Sequence, residues 1–292
     1  MIPEQSLVVR VTDLMEPGRI ARHLEELTRP VDAIATPLSL WNRQCRDEGG
    51  GVGVAMGWNV IIGGSTGLGK SLMAVNVGAT AIKAGECVAF MALEMSAAQL
   101  ASRLYAILTD TDCRLLERGN TPPPHVERRL CEIREETGGR FLTNEQPLHE
   151  ISEIQAQLRY WVEEKGARLC VIDYLQLATS RTAESLYNEV SDISSRVTEF
   201  AKQMNVVTVG LSQMNRQTSS NRVDRPYAHG LIGSSALEND ADQVLLLDHT
   251  RYEHGQRSAK TYALLAKNRH GSQGGCARTH RDIEGQPQGC SA

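Results

Sequence analysis

The eight residues Gly64, Ser65, Thr66, Gly67, Leu68, Gly69, Lys70 and Ser71 read GSTGLGKS. Glycines around a short polar turn let backbone N–H groups face an anion, and the lysine and hydroxyl that follow add a charge and an oxygen ligand. The pattern G-x-x-x-x-G-K-[ST] is a phosphate-binding loop when a buried strand precedes it and a helix follows. Both neighbours are present. Residues 58–64, WNVIIGG, read as a buried strand, and 71–85, SLMAVNVGATAIKAG, as a helix with Gly85 at its end. The loop predicts that Lys70 reaches the β- and γ-phosphates of ATP and that Ser71 ligates Mg2+.

Three further polar residues end apolar runs and belong to the same chemistry. Asp173 follows LCVI, a place from which a carboxylate holds magnesium through water, as in a Walker B site. Glu94 ends the strand 87–94, CVAFMALE, and is the candidate general base for an attacking water. Gln213 closes the strand 206–213 and is a candidate sensor of the γ-phosphate by hydrogen bonding. Far along the chain, ALLAKNRHG (263–271) breaks from an apolar strand into Lys267 and Arg269. On an extended backbone these two side chains share a side and form a forked positive probe.

The elements needed to position these groups are also legible. Ser96 and Gln99 make a capping box that starts a helix after Glu94. Residues 149–167 read as a helix feeding a buried strand at 168–177, and a long helix near 184–204 feeds the strand 206–213; strands at 243–248 and 261–267 follow. Strands without polar alternation, separated by helices, imply an α/β fold: a mainly parallel sheet with helices on both faces, plus a C-terminal β-hairpin. Ligands of such sheets bind beyond the carboxyl ends of the strands. We expect an N-terminal arm at 1–35, a single core at 36–275 and a C-terminal tail at 276–292.

Composition narrows the partners. Aromatic residues are only 4% of the chain, which favours a nucleic-acid surface that grips phosphates over one built from stacking platforms. The net charge of −4 argues against a generally basic coat, yet residues 212–292 carry 10 Lys+Arg against 8 Asp+Glu, so cations concentrate where the fork lies. The cysteines show no CxxC pair and read as buried hydrophobes or thiols of a reducing compartment. No apolar run approaches the ~20 residues of a membrane span, and the N-terminus lacks signal-peptide order, so a cytoplasmic location is expected, that of the host if the protein is phage-encoded.

Together, GSTGLGKS, ALEMSAAQLASRL, VIDYLQL, GLSQMNR, GSSALENDADQVLLL and AKNRHG occur in the order and spacing of the DnaB-type replicative helicase motor domain. The chain resembles a compact, phage-style member of that family over about residues 36–275. The resemblance implies a RecA-like ATPase core that assembles into a ring, usually a hexamer, and translocates on single-stranded DNA. It implies Lys70 and Ser71 on phosphate and magnesium, Glu94 as catalytic carboxylate, Asp173 on magnesium and Gln213 as sensor. Lys267 and Arg269 match the family's trans-acting pair, which reaches the γ-phosphate held by the neighbouring subunit.

Two departures shape the expectations. The family carries an N-terminal primase-binding domain of over a hundred residues, whereas about 35 precede the core here, so primase docking of the bacterial kind is not carried over; a primase or loader stays a possible partner. The arm does contain GRIARHLEELTR (18–29), whose Ile20, Leu24 and Leu27 share a helical face, and we expect this helix either to dock on an adjacent protomer or to pack on its own domain. Where bacterial relatives have an Arg-Glu pair for DNA phosphate, this chain has Ile232-Gly233. The remaining DNA candidates are Arg222 and Arg225 and the backbone N–H groups around Gly233, Ser234 and Ser235. Three alternatives stay open: a RadA-like recombination or branch-migration ATPase, which shares the K-N-R fork; an ATP-gated assembly factor without unwinding; and a nuclease using Glu238, Asp240, Asp242 and Asp248.

Overall fold

The computed structural model describes residues 32–44, 53–116, 120, 122–146, 148–181, 186–214, 234–251, 257–269 and 276–278. The expected docking helix at 18–29 and the candidates Arg222, Arg225 and Gly233 lie outside them. β1 (Ala33–Ile34) pairs antiparallel with β2 (Val54–Ala55), and the short α1 (Ser39–Gln44) lies between them in sequence. β3 (Asn59–Gly64) leads through the glycine loop into α2 (Lys70–Lys83), followed by β4 (Cys87–Ala92) and α3 (Ala97–Thr109). Next come α4 (Pro124–Thr137), β5 (Arg140–Thr143), α5 (Ile151–Lys165), β6 (Ala167–Asp173), α6 (Leu186–Met204) and β7 (Val207–Gln213). α7 (Ser234–Asp240), β8 (Gln243–Arg251), β9 (Arg257–Asn268) and β10 (Cys276–Arg278) complete the order.

Among the described residues, eight strands form one sheet in the order β10-β9-β8-β3-β7-β6-β4-β5. From β8 to β5 every pair is parallel, and β9 and β10 add antiparallel strands at the other edge. The mainly parallel sheet and the terminal hairpin are thus as expected, and residues 276–278 extend the sheet past the hairpin. β3 shows why the strands lack polar alternation. Val60 and Ile62 join an apolar cluster with Met73 and Val77 of α2, while Ile61 joins the opposite cluster with Ile193, Val197 and Phe200 of α6. Both sides of the pleat are buried, and each large side chain so placed stabilises the fold by about 1.5–3 kcal/mol.

Two strands end earlier than their sequence readings: β4 stops at Ala92, two residues short of Glu94, and β6 departs further. The run 168–177 is strand only to Asp173, and Leu175–Leu177 form a 3-10 turn. Leu175 folds across Gly210 of β7, where a Cβ added to the glycine would come within 2.7 Å of the leucine Cδ1. An apolar run records burial; it does not distinguish an extended residue from one tucked over a neighbouring glycine.

Candidate nucleotide site

The carboxyl ends of β3, β4, β6 and β7 face a cavity of about 1150 Å³, large enough for a nucleotide. Thr66, Gly67, Gly69, Lys70 and Ser71 line one side of it. Gly67 and Gly69 have φ of 80° and 83°, the left-handed region that a side chain disfavours. Gly69 is also the N-cap of α2 and brings no side chain to satisfy the first-turn N–H groups, so the positive end of a 14-residue helix is left for an anion. Lys70 Nζ donates to the carbonyls of Gly64 (2.9 Å) and Ser65 (3.1 Å), folding over its own loop. Burial pushes its ammonium below the ordinary lysine value, while the charges of Asp173 and Glu94 pull it back.

Opposite the lysine stand the carboxylates. Asp173 is 2% exposed, and burial pushes its carboxyl up to about 6, a rise that the Ser71 hydroxyl bond opposes and the charge of Glu94 reinforces. Its Oδ2 is fully buried and has no hydrogen-bond partner in the protein. A buried carboxylate oxygen left without a donor, beside a serine hydroxyl, fits a water-bridged magnesium, which would satisfy it. Glu94 lies just past β4 and lines the cavity, exposed. Two contacts hold that strand end in place: Leu93 N–H donates to the Asp173 carbonyl (2.9 Å), and the Asn144 side chain bonds both N–H and C=O of Ala92 at 2.8 Å. The capping box is present, with the Gln99 N–H donating to Ser96 Oγ and the Ser96 N–H to Gln99 Oε1, so α3 starts immediately after Glu94.

Gln213 ends β7 and donates through Nε2 to Thr66 Oγ1 at 2.7 Å, tying the sensor candidate to the phosphate loop. Gln176, in the 3-10 turn, donates to Ser212 Oγ at 2.7 Å and steadies that end of the strand. Arg103 and Tyr174 also line the cavity, and the charge of Arg103 acts on Asp173; neither was singled out from sequence. Helical spacing carried the missed signal. Ser96, Gln99 and Arg103 fall at i, i+3 and i+7 on the cavity side, whereas Leu100, Leu104 and Ile107 are buried.

The fork lies at the other edge of the sheet. Gln243, which opens β8, pairs with Asn268, and Asp242 is level with Asn59 at the start of β3. From Asn59 to Gly64 is five residue steps, or about 17 Å of strand, so the fork is a full strand length from its own phosphate loop. Lys267 and Arg269 do share a side, and both grip the C-terminal end of α7. Lys267 Nζ donates to the carbonyls of Glu238 and Asn239, and Arg269 Nη2 to Asn239 at 2.8 Å. Burial and the neighbouring Arg269 lower the Lys267 ammonium below its ordinary value. Arg269 Nη1 also donates to Asp242 Oδ1 at 3.1 Å. Asp242 Oδ2 accepts the Asn59 N–H at 2.9 Å, and the Asn59 amide bridges Thr198 and Thr208, which makes a rigid floor under the arginine.

Of the acidic run, Asp240 accepts from Ser194 Oγ and Asp242 from Arg269 and Asn59, so these carboxylates serve internal bonds. Among the described residues no group of three His, Cys, Asp or Glu side chains could hold a metal. Of the DNA candidates, Ser234 and Ser235 open α7, and Ser235 is exposed. Among the described residues no helix is long and apolar enough to cross a membrane.

A glycine cradle at the carboxyl edge of a parallel sheet, with strand-end carboxylates beside it, defines a P-loop nucleotide-binding fold of the RecA-like kind. More narrowly, the chain belongs to the DnaB-like helicase C-terminal domain family, whose model matches residues 52–282. It is 30% identical over 217 residues to a probable plasmid replicative DNA helicase of Chlamydia psittaci, covering 73% of this chain and 47% of that one. With the replicative DNA helicase DnaB of Geobacillus stearothermophilus it shares 29% over 220 residues, 74% of this chain and 48% of the relative. The chain thus spans about half the length of the curated relatives it matches. In fold it is similar to a DnaB-like replicative helicase solved in a study of its interactions with primase (TM-score 0.71, 21% identity, 89% of this chain and 62% of that one). It is also similar to a separately solved ATPase domain (TM-score 0.72, 20% identity, 91% and 94%).

Proposed function

We propose that this domain is the ATP-hydrolysing motor of a ring-forming DNA helicase that translocates on single-stranded DNA during replication, with Mg·ATP held between adjacent copies. The observation that carries the reading is the separation of the two charged constellations by the length of β3. A fork about 17 Å from its own phosphate loop cannot serve the nucleotide bound there. In a head-to-tail ring the amino edge of one copy meets the carboxyl edge of the next, and such an interface is heterologous and closes by rotation. A hexamer is the expected closure.

In this mechanism the glycine-loop N–H groups and Lys70 hold the β- and γ-phosphates. Ser71 and, through water, Asp173 would hold Mg2+, which neutralises phosphate charge when bound. Glu94 accepts a proton from the water that attacks the γ-phosphorus, while the bond to the bridging oxygen of ADP breaks. The neighbour's Lys267 and Arg269 stabilise the charge on the transferred group. Gln213, bonded to Thr66, reports on that group to β7 and the residues that follow it. Ser234 and Ser235, the DNA candidates within the described residues, open the helix whose far end receives the fork. DNA contact and trans contact therefore act on opposite ends of α7. Arg222, Arg225 and Gly233 complete the proposed DNA contact, and a primase or loader is a further proposed partner.

The test is ATP-dependent strand displacement on a forked duplex, with single-stranded-DNA-stimulated hydrolysis measured alongside. Wild type should displace the strand and Lys70→Ala should not. Hydrolysis without any displacement would overturn the helicase reading in favour of an assembly factor. Arg269→Ala mixed with Lys70→Ala should recover hydrolysis that neither shows alone, because a Lys70→Ala subunit lends its intact fork to the intact loop of its neighbour; no recovery would overturn the trans role.

A further inference from the structure

The fork is not free-standing. Asn268 lies between its two cations, is 3% exposed and points to the opposite side of the strand from them. Across the hairpin its register partner is Gln243, fully buried, whose Nε2 donates to Asn268 Oδ1 at 3.1 Å. Gln243 Oε1 in turn accepts from the Trp41 indole N–H at 2.9 Å, and Trp41 is 2% exposed. An indole can only donate, so Gln243 must turn its oxygen to the tryptophan and its amide nitrogen to Asn268. That choice fixes which way the Asn268 amide faces. A buried amide chain of this kind has a direction, and the tryptophan sets it.

Trp41 is itself clamped. Asn42 Oδ1 accepts from the Thr36 N–H (2.8 Å) and hydroxyl (2.7 Å), and its Nδ2 donates to the Thr36 carbonyl (2.8 Å), closing residues 36–42 into a braced turn around α1. The apolar cluster that receives the indole also contains Leu245 of β8 and Ala263 and Leu265 of β9, the two strands of the hairpin. A phenylalanine would fill much of the same space, so the N–H is the feature that packing alone does not require.

We infer that Trp41 is a positioning residue for the trans-acting fork: through Gln243 and Asn268 it holds the backbone from which Lys267 and Arg269 project toward the neighbouring subunit's nucleotide. This rests on the trans role proposed above. It makes the amino-terminal turn of the core, which touches no nucleotide, a determinant of catalysis in the adjacent copy.

The experiment measures DNA-stimulated ATP hydrolysis and fluorescent-nucleotide binding for Trp41→Phe and Asn268→Leu in the full chain. Misplacing a charge-stabilising group is expected to lower kcat about tenfold in each, with nucleotide affinity unchanged because the phosphate loop lies at the other edge. The double variant should be no worse than Asn268→Leu, as both break one relay. Either variant mixed with Lys70→Ala should give more activity than the two separately, since the Lys70→Ala subunits lend an intact fork to an intact loop. Loss of stability alone would not be complemented in this way, and Asn268→Leu carries the same test if Trp41→Phe folds poorly. Wild-type kcat in Trp41→Phe, or a loss of kcat and affinity together without complementation, would overturn the inference. The control is Arg269→Ala mixed with Lys70→Ala: if that pair fails to complement, the trans role itself is wrong, whereas complementation there with wild-type kcat in Trp41→Phe sinks only the positioning role.

Discussion

The two edges of the sheet carry opposite kinds of chemistry in opposite states of satisfaction. At the carboxyl edge, Asp173 Oδ2 is buried without a donor, and α2 starts without a side-chain cap. At the amino edge, Lys267 and Arg269 hold carbonyls at the end of α7, and Arg269 also holds Asp242. One edge is built to receive a ligand, and the other is already occupied by its own chain. Cations at a helix C-terminus are favourably placed, so the fork has a resting position. Under the proposed function, engaging a neighbour's phosphate means exchanging these partners, and only the difference between the two sets of bonds drives the exchange. The exchange also frees the end of α7, which is how hydrolysis in one interface would reach the DNA side of the next.

The largest break in this comparison is expected from Lys70→Ala. Removing the cation at the receiving edge should cut hydrolysis by about 10³-fold, equivalent to about 4 kcal/mol of barrier. Steady-state turnover measures it, and retention of a tenth of wild-type activity would mean that the carboxyl edge is not the chemical site.

Next in size is Asp173→Asn. The Asp173 pKa is raised from 3.8 to about 6, so the folded state binds more protons than the unfolded state between these values. Stability of the nucleotide-free protein therefore falls as pH rises from about 4 to about 6, by up to about 3 kcal/mol. Asp173→Asn should remove that slope: thermal melts should show it more stable than wild type above pH 6 and equal near pH 4. Parallel curves would mean that the buried oxygen costs nothing in the empty state.

Arg269→Ala should lower hydrolysis about 10²-fold, near 2.7 kcal/mol, while nucleotide affinity stays at the wild-type value. A matching loss of affinity would place the arginine in its own site and collapse the distinction between the edges. Gln213→Leu should have the smallest effect, about tenfold, or the worth of one hydrogen bond near 1.4 kcal/mol. The loss should fall on stimulation by single-stranded DNA, with DNA-independent hydrolysis little changed; equal loss of both would make Gln213 a structural tie to Thr66.

Much of this was legible in the sequence because it is local. The phosphate loop is eight consecutive residues, the capping box spans four, and each buried strand announces itself as an unbroken apolar run. Pairing those strands into a parallel sheet followed from the helices between them. The turn at Leu175–Leu177 was misread because burial on Gly210 and burial in a strand leave the same apolar signature. Arg103 was passed over because an arginine on an amphipathic helix is ordinarily a solvated one; its helical spacing with Ser96 and Gln99 marks a shared polar face, and only the fold shows that this face borders a cavity. Trp41 gave no signal: its partner Gln243 is 202 positions away.

The sequence by itself determined which residues could bind phosphate and magnesium, because that chemistry depends on residue type and short spacing. It also showed that Lys267 and Arg269 project together, since period-two alternation is a property of the backbone. Tertiary structure decided where the fork stands. Antiparallel pairing of β9 with β8 carries it to the amino edge of the sheet, a strand length from the phosphate loop of its own chain, and onto the end of α7. The hairpin itself is local, but its place depends on β8 lying parallel beside β3, with Val60 opposite Gln243, and a contact between residues so far apart in the chain leaves no trace in local spacing.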